Sequence, residues 1–304
     1  DVYADCGVSE GPTAIFEGRA TGTHDLTVYN DKIAFSIAVD SNNYWNMTKG
    51  SILDLGIRGG AGTAGDMGVN IINDIEFLND LWTSTGTYNG TDLRNDITVD
   101  VTENTAAKVV ITVHTRYWVA DADKNSVDDA TQYGTTQAPL NVTITYTLED
   151  GKNYIGLGCD IENPTANKVT YKDMYSGFSI TTKAASMFGP YGFYPDTKVT
   201  GIAIGSDESV QEYFGNFVVS YSNNYAVSLE MDNANAYKGS TGYKDLYTLQ
   251  DLVPGNHYHY VGESLASDES ETATLINRYI DRNHISADDY STINGKVLDS
   301  DGNP

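Results

Sequence analysis

Two histidines one residue apart, His257 and His259, stand in the stretch PGNHYHYVGE and account for two of the five imidazoles in the chain. In an extended strand, residues i and i+2 share a face, so these two rings lie side by side while Tyr258 and Tyr260 face the other way. Two imidazoles on one face fill two positions of a zinc or transition-metal site, and a third ligand must come from elsewhere. His114, in ITVHTRYW, is the best remaining histidine because it also falls on an expected strand. The Pro254-Gly255 turn before the pair and the apolar-polar alternation after it are features of an ordinary strand. A strand that carries imidazoles is therefore the reading adopted for His257 and His259, ahead of a metal site.

Other residues have oxygen or ring chemistry. In DADKNSVDD, Asp121, Asp123 and Asn125 have the spacing of the first half of a calcium loop. Ser126 occupies the sixth position where such a loop needs glycine, and Gln132 replaces the bidentate glutamate at the twelfth. A solvated loop between strands is favoured there, and calcium is the cation it would take. Flat rings stand in or beside expected loops at Trp45 (YWNM), at Trp118 (RYW) and at Phe188, Tyr191, Phe193 and Tyr194 (FGPYGFYPD). A ring beside acidic and amide side chains is a platform for a sugar face, although Tyr and Trp in β proteins mostly pack across strands. No local motif identifies an acid/base pair. His24-Asp25 reads as a turn in which Asp25 organises the backbone, and His284 reads as exposed after a helix.

Composition narrows the partners. Forty-two acidic residues against eighteen basic ones leave a formal net charge of −24 in 304 residues. Nucleic acid is not an expected partner, because phosphate binding needs clustered Lys and Arg. No apolar run is long enough to span a bilayer. Twenty-two Tyr outnumber Phe and Trp together, and Pro is scarce at seven. Abundant Tyr, Thr and Val for strands, with Asn, Asp and Gly for turns, is the composition of an extracellular β protein. The opening DVYADCGVSE carries neither an initiator Met nor an apolar leader, which fits a mature secreted or cell-surface segment. Cys6 and Cys159 are the two cysteines. One long-range disulfide and two separate thiols are equally compatible with that spacing.

The elements that must position these side chains are mostly strands. LTVYNDKIAFSIAV reads as a hairpin about Asn30-Asp31, and LNVTITYTLEDGKNYIGLGCDIEN as another about Asp150-Gly151. In DITVDVTENTAAKVVITVHTRYWV, Ile97, Val99 and Val101 alternate, then Val109, Ile111 and Val113. Asn223-Asn224 supplies a further turn before AVSLEM. Two helices are expected. The first covers residues 65–82, from Ile71, Ile72, Ile75 and Leu78. The second lies in SDESETATLINRYIDR, with Ser267 as cap, acidic residues in its first turn, and Leu275, Ile276, Tyr279 and Ile280 on its apolar face. The expected fold is all-β: a large antiparallel supersandwich or β-sandwich with one or two short helices.

The last residues, INGKVLDSDGNP, resemble the opening strand and turn of a carboxypeptidase-regulatory-like β-sandwich module. The domain division expected is a supersandwich-type domain over residues 1–290, followed by the start of that module over residues 291–304. The order YNDKIAFSIAV, KGSILDLGI, NVTITYTLEDGKNYIGLGCDIEN, LVPGNHYHYVGESLA and a short helix is similar to the large β domain of the galactose-mutarotase-like group. The resemblance is to N-terminal domains of secreted bacterial multidomain proteins, some of which continue into a PHP-type metallohydrolase domain. It implies a carbohydrate partner, downstream domains of the same chain, and a non-catalytic binding or scaffold role. The alternatives it leaves are a carbohydrate-active epimerase, lyase or hydrolase on the same fold, and a structural spacer.

Overall fold

A computed structural model of the chain describes residues 5–41, 49–58, 66–78, 87–88, 91–92, 97–119, 136–169, 176–183, 186–188, 202–203, 209–212, 216–232, 234, 236–239, 243–248, 251–268 and 272–289. In chain order the strands begin with β1 (Gly7–Glu10), β2 (Leu26–Tyr29), β3 (Ile33–Ile37), β4 (Ile52–Ile57), β5 (Ile72–Leu78), β6 (Thr87–Tyr88) and β7 (Thr91–Asp92). There follow β8 (Thr98–Asn104), β9 (Lys108–Val119), β10 (Thr136–Glu149), β11 (Tyr154–Glu162), β12 (Ser176–Thr182), β13 (Ser186–Phe188) and β14 (Ile202–Ala203). The series closes with β15 (Ser209–Glu212), β16 (Phe217–Tyr221), β17 (Ala226–Met231), β18 (Ala236–Gly239), β19 (Tyr243–Thr248) and β20 (His257–Ser267), before helix α1 (Ala273–Arg282).

Eighteen of these strands form two large antiparallel sheets, and β6 and β7 pair with each other. The first has ten strands in the order β1, β2, β3, β4, β5, β12, β19, β18, β15, β14, and the second has eight in the order β13, β16, β17, β20, β11, β10, β9, β8. Alternation decides which face each sheet buries. On β9, Val109, Ile111 and Val113 are buried, and on β11, Ile155, Leu157, Cys159 and Ile161 are buried. They meet Ile33, Phe35, Ile75 and Phe178 of the other sheet in one core cluster. Aromatic rings fill the core: Phe77 and Phe178, on neighbouring strands of one sheet, lie 5.5 Å apart, and Phe178 lies 6.4 Å from Tyr260 of the other sheet. The result is the all-β antiparallel sandwich anticipated from the alternating segments.

Two turns tie the sheets together. Asn30 accepts from the N–H groups of Lys32 and Ile33, closing the β2–β3 hairpin, and its amide donates to the carbonyls of Glu149 and Lys152 at the β10–β11 hairpin. A buried asparagine that satisfies both its own turn and a neighbouring one is a cross-brace made of hydrogen bonds.

The structure departs from expectation at two elements, and it decides between the two readings left open for the cysteines. Within the span 65–82 where a helix was expected, Ile72–Leu78 is a strand, β5, at the centre of the ten-stranded sheet between β4 and β12, while residues 65 and 79–82 lie outside the described residues. The acidic residues Asp74 and Glu76 alternate with Ile75 and Phe77 along it, which is the period of a strand. The pairing with β12 runs from Thr181 opposite Asp74 to Thr182 opposite Ile72 and skips Asn73, and this bulge in β5 lets Ile72 and Ile75 both reach the core at a helix-like spacing. The second helix is present, but Ser267 does not cap it. Ser267 is spent in β20 opposite Ala226, the N-cap is Thr272 without a side-chain bond, and no acidic residue lies in the first turn. The cysteines are two buried free thiols.

Helix α1 lies on the outer face of the eight-stranded sheet. Leu275 and Tyr279 are buried against Phe217, Val219, Ala226 and Leu265, with Ile276 packed beside them. Its C-terminus closes in a Schellman motif: His284 takes φ 52, its N–H bonds Asp281 O, and Ile285 N–H bonds Ile280 O. His284 is exposed, as expected, and the structure gives it a backbone role at the helix end. Among the described residues, no helix is long and apolar enough to cross a membrane. Residues 290–304, where a following module was expected to begin, lie outside the described residues.

Candidate functional site

The helix covers only part of the outer face of the eight-stranded sheet. Along β20, Glu263 and Leu265 are buried beside it, Val261 is 39% exposed, and His257 and His259 stand open. A turn over Val253–Asn256 starts this strand: Asn256 N–H bonds Val253 O, with Pro254 at the second position and Gly255 at φ 75 in the third. That is the geometry of a type II turn, in which the third residue must take positive φ. The adjoining end of β11 is pinned by Asn163, whose N–H bonds Asn256 O and whose amide donates to Leu252 O.

Register then assembles the site. Across the sheet, His114 of β9, Thr143 of β10, Asp160 of β11 and His259 of β20 lie in one row. The next row is Arg116, Asn141, Glu162 and His257. Neighbouring strands are about 4.8 Å apart, so each row is a polar ladder roughly 15 Å long. In the second row, Arg116 Nη1 donates to Asn141 Oδ1 at 2.7 Å, and Asn141 Nδ2 donates to Glu162 Oε2 at 3.0 Å. Glu162 Oε1 stands 3.8 Å from His257 Nε2, and Asp160 Oδ1 stands 2.9 Å from His257 Nδ1. Asp160 Oδ2 faces His259 Nδ1 at 3.7 Å, and His114 Nδ1 meets Thr143 Oγ1 at 3.2 Å.

His257 is therefore an imidazole held between two carboxylates. The hydrogen bond to Asp160 above all, followed by the charges of Asp160 and Glu162, raises its pKa from the usual histidine value. Both histidine side chains remain more than half exposed, at 54% and 64%, while Asp160 and Glu162 are 37% and 38% exposed. Between the ladder and the helix the floor is low, because β11 carries Gly158 and Gly156 there. A Cβ at Gly158 would come within 2.3 Å of Thr145 Oγ1. An open, flat row of alternating donors and acceptors is suited to hydrogen-bonding a polyol. Proton transfer at a reacting centre, by contrast, gains from water exclusion that this exposed face lacks.

The residues singled out from sequence fare differently. His257 and His259 share a face, and Tyr258 and Tyr260 are buried on the opposite one. His114 is on the same outer face, in the row of His259 but three strands away. Among the described residues, no group of three or more His, Cys, Asp or Glu side chains is disposed to hold a metal ion. Asp25 does organise a turn: its carboxylate accepts from the N–H groups of Gly22, Val39, Asp40 and Ser41. Trp118 stands in β9 and Phe188 ends β13, with their side chains outside the described set. Trp45, Tyr191, Phe193 and Tyr194, and the calcium-loop residues Asp121, Asp123 and Asn125, lie outside the described residues. Asp160, Glu162, Asn141 and Arg116 were not singled out from sequence. The signal that finds them is the polar half of the alternation in LNVT and CDIEN, once strand register is known.

No protein-family model matches the chain, and no curated protein matches it. Solved structures do. An alpha-mannosidase from Enterococcus faecalis is 12% identical, with 88% of this chain and 34% of that one covered at a TM-score of 0.49. A TPR-domain containing protein from Parabacteroides distasonis is 11% identical, with 87% and 54% covered at a TM-score of 0.48. A galactose mutarotase related enzyme from Lactobacillus acidophilus is 12% identical, with 81% and 99% covered at a TM-score of 0.40. The chain spans between about a third and about a half of the first three solved structures it matches, at 34%, 54% and 36% of their lengths.

Proposed function

We propose that this is a carbohydrate-binding domain of a secreted or cell-surface protein, and that the open half of the eight-stranded sheet receives the sugar. The observation that carries the reading is the ladder Arg116–Asn141–Glu162–His257–Asp160, in which each side chain touches the next and still faces solvent. Amide, carboxylate and imidazole groups fixed by one another offer hydrogen-bond partners to adjacent hydroxyls at little entropic cost. Their exposure favours recognition over catalysis, and the Tyr-, Thr- and Asn-rich composition agrees with an extracellular setting. Downstream domains of the parent chain would supply any chemistry.

Calorimetry and glycan-array binding test the reading. Asn141→Ala and Glu162→Ala should each weaken oligosaccharide binding about tenfold, the loss of one or two charge-assisted hydrogen bonds. Their thermal unfolding should stay close to that of the parent protein, because both residues are on the surface. Undiminished binding in both variants would remove the sheet face from consideration.

A further inference from the structure

Three of the five histidines, His114, His257 and His259, lie on this one outer face in two adjacent rows. The chain around them has a formal net charge of −24. Histidine is the side chain whose charge changes between about pH 5 and pH 8. The face is therefore a place where the sign of the local charge depends on proton concentration.

The charged and titratable groups that meet there can be named strand by strand. From β9 come His114 and Arg116, from β11 Asp160 and Glu162, and from β20 His257 and His259. β10 contributes the neutral Asn141 and Thr143. The edge strand β8 adds Asp100, one row further along opposite Thr112, while Glu103 is paired with Lys108 at 2.8 Å. Toward the helix, Glu263 is paired with Arg278, and Glu230 and Asp232 with Arg282, so that among the described residues, with the imidazoles neutral, Arg116 alone opposes the three carboxylates left without a Lys or Arg partner. With them protonated, four cations oppose three carboxylates, and the nearest two carboxylates are already engaged by His257 and His259.

Resting on the carbohydrate reading, we propose that this face selects a saccharide bearing carboxylate or sulfate groups, and that it holds it only when its histidines are protonated. The Nε2–H groups of His259 and His114 and the Arg116 guanidinium donate to the ligand's anionic oxygens, while His257, held between its two carboxylates, adds positive charge. Asp160 and Glu162 hold the His257 ring from the sides and favour its charged form. The elevated pKa of His257 agrees with that arrangement. Elsewhere the acidic surface repels the same polyanion, so raising the pH releases it. Binding must then take up protons near neutrality, since an anion seated on imidazolium groups favours their charged form.

The test uses oligogalacturonate, a sulfated galactan oligosaccharide and the methyl ester of the oligogalacturonate, which keeps the sugar and removes the charge. Titration calorimetry at about pH 5.5 and about pH 8 should show the two anionic ligands binding about tenfold or more tighter at the lower pH. Calorimetry near neutrality in two buffers of different ionisation enthalpy should show net proton uptake on binding. A His257→Gln/His259→Gln double variant should lose both effects, and a His24→Gln variant, altered away from this face, should keep them. Binding of only one anionic ligand assigns the charged group as carboxylate or sulfate and upholds the proposal. If the ester binds as tightly as the acid, or the affinity is the same at both pH values, the proton-gated selection is wrong while the carbohydrate reading stands. If neither charged nor neutral oligosaccharides bind at either pH, both fall.

Discussion

Cys6 and Cys159 show how a residue's chemistry follows from its address. Both are buried in the core between the sheets. Cys159 is opposite Ile144 on β10, whereas the thiol of Cys6 lies 3.7 Å from the carbonyl of Leu148 on the same strand. Four residues of strand span about 13 Å, well beyond the reach of a disulfide at about 7 Å. Burial, and the carboxylates of Asp150 and Asp31 after it, push the Cys6 thiol up to about 11. Burial likewise pushes the Cys159 thiol up. A thiol kept protonated is a poor nucleophile. The native protein should therefore react negligibly with Ellman's reagent at about pH 8, and both thiols should react at once in denaturant. Rapid labelling of the native protein would contradict this packing. The two-cysteine count left disulfide and thiols equally open, because only strand register sets the distance between them.

At the scale of elements, helix α1 is held by charge as well as by its apolar stripe. Arg278 makes a bidentate pair with Glu263, both bonds at 2.8 Å. Arg282 donates to Glu230 at 2.6 Å and to Asp232 at 2.7 Å, while Asn283 also donates to Glu230. Burial raises the pKa of Glu230 against the opposing pull of Asn283 and Arg282. Removing Arg282 leaves a carboxylate that is 1% exposed without its cation. Arg282→Met should cost about 3 kcal/mol in urea unfolding, whereas the exposed substitution Asn277→Ala on the same helix should cost little. A loss under about 1 kcal/mol for Arg282→Met would mean that the apolar stripe alone anchors the helix. The stripe itself was readable from Leu275, Ile276 and Tyr279. The arginines were not, because their partners sit on β17 and β20. The strand β5 was missed for a related reason: its bulge at Asn73 is defined only by the pairing with β12, more than a hundred residues away.

The whole molecule is set by two opposing quantities, a continuous core between ten and eight strands and a large negative charge. Self-repulsion of like charges works against the compact state and is screened by salt. Raising sodium chloride from about 10 mM to about 150 mM should raise the unfolding temperature by a few degrees. No change would show that the opposite charges pair too evenly for the net value to matter. The core also fixes the site. Tyr258 and Tyr260 are buried between the sheets, with their rings 5.2 Å apart, and this points His257 and His259 outward from the same strand.

The amino-acid sequence by itself determined the periodicities: alternating apolar residues that make strands, Asn-Asp, Asp-Gly and Pro-Gly pairs that turn them, and an i, i+2 histidine pair bound to share a face. These are local properties, written within a few residues of one another. The tertiary structure alone decided which strands became neighbours and in what register. A two-residue loop at Asp150-Gly151 would have set Asn141 opposite Asp160, whereas the connection over residues 150–153 sets it opposite Glu162. The ladder that joins Arg116 to His257 depends on that offset, and on β11 pairing with a strand nearly a hundred residues distant. Such pairing follows from how the two sheets together bury their apolar faces, a balance over the whole chain that no short stretch encodes.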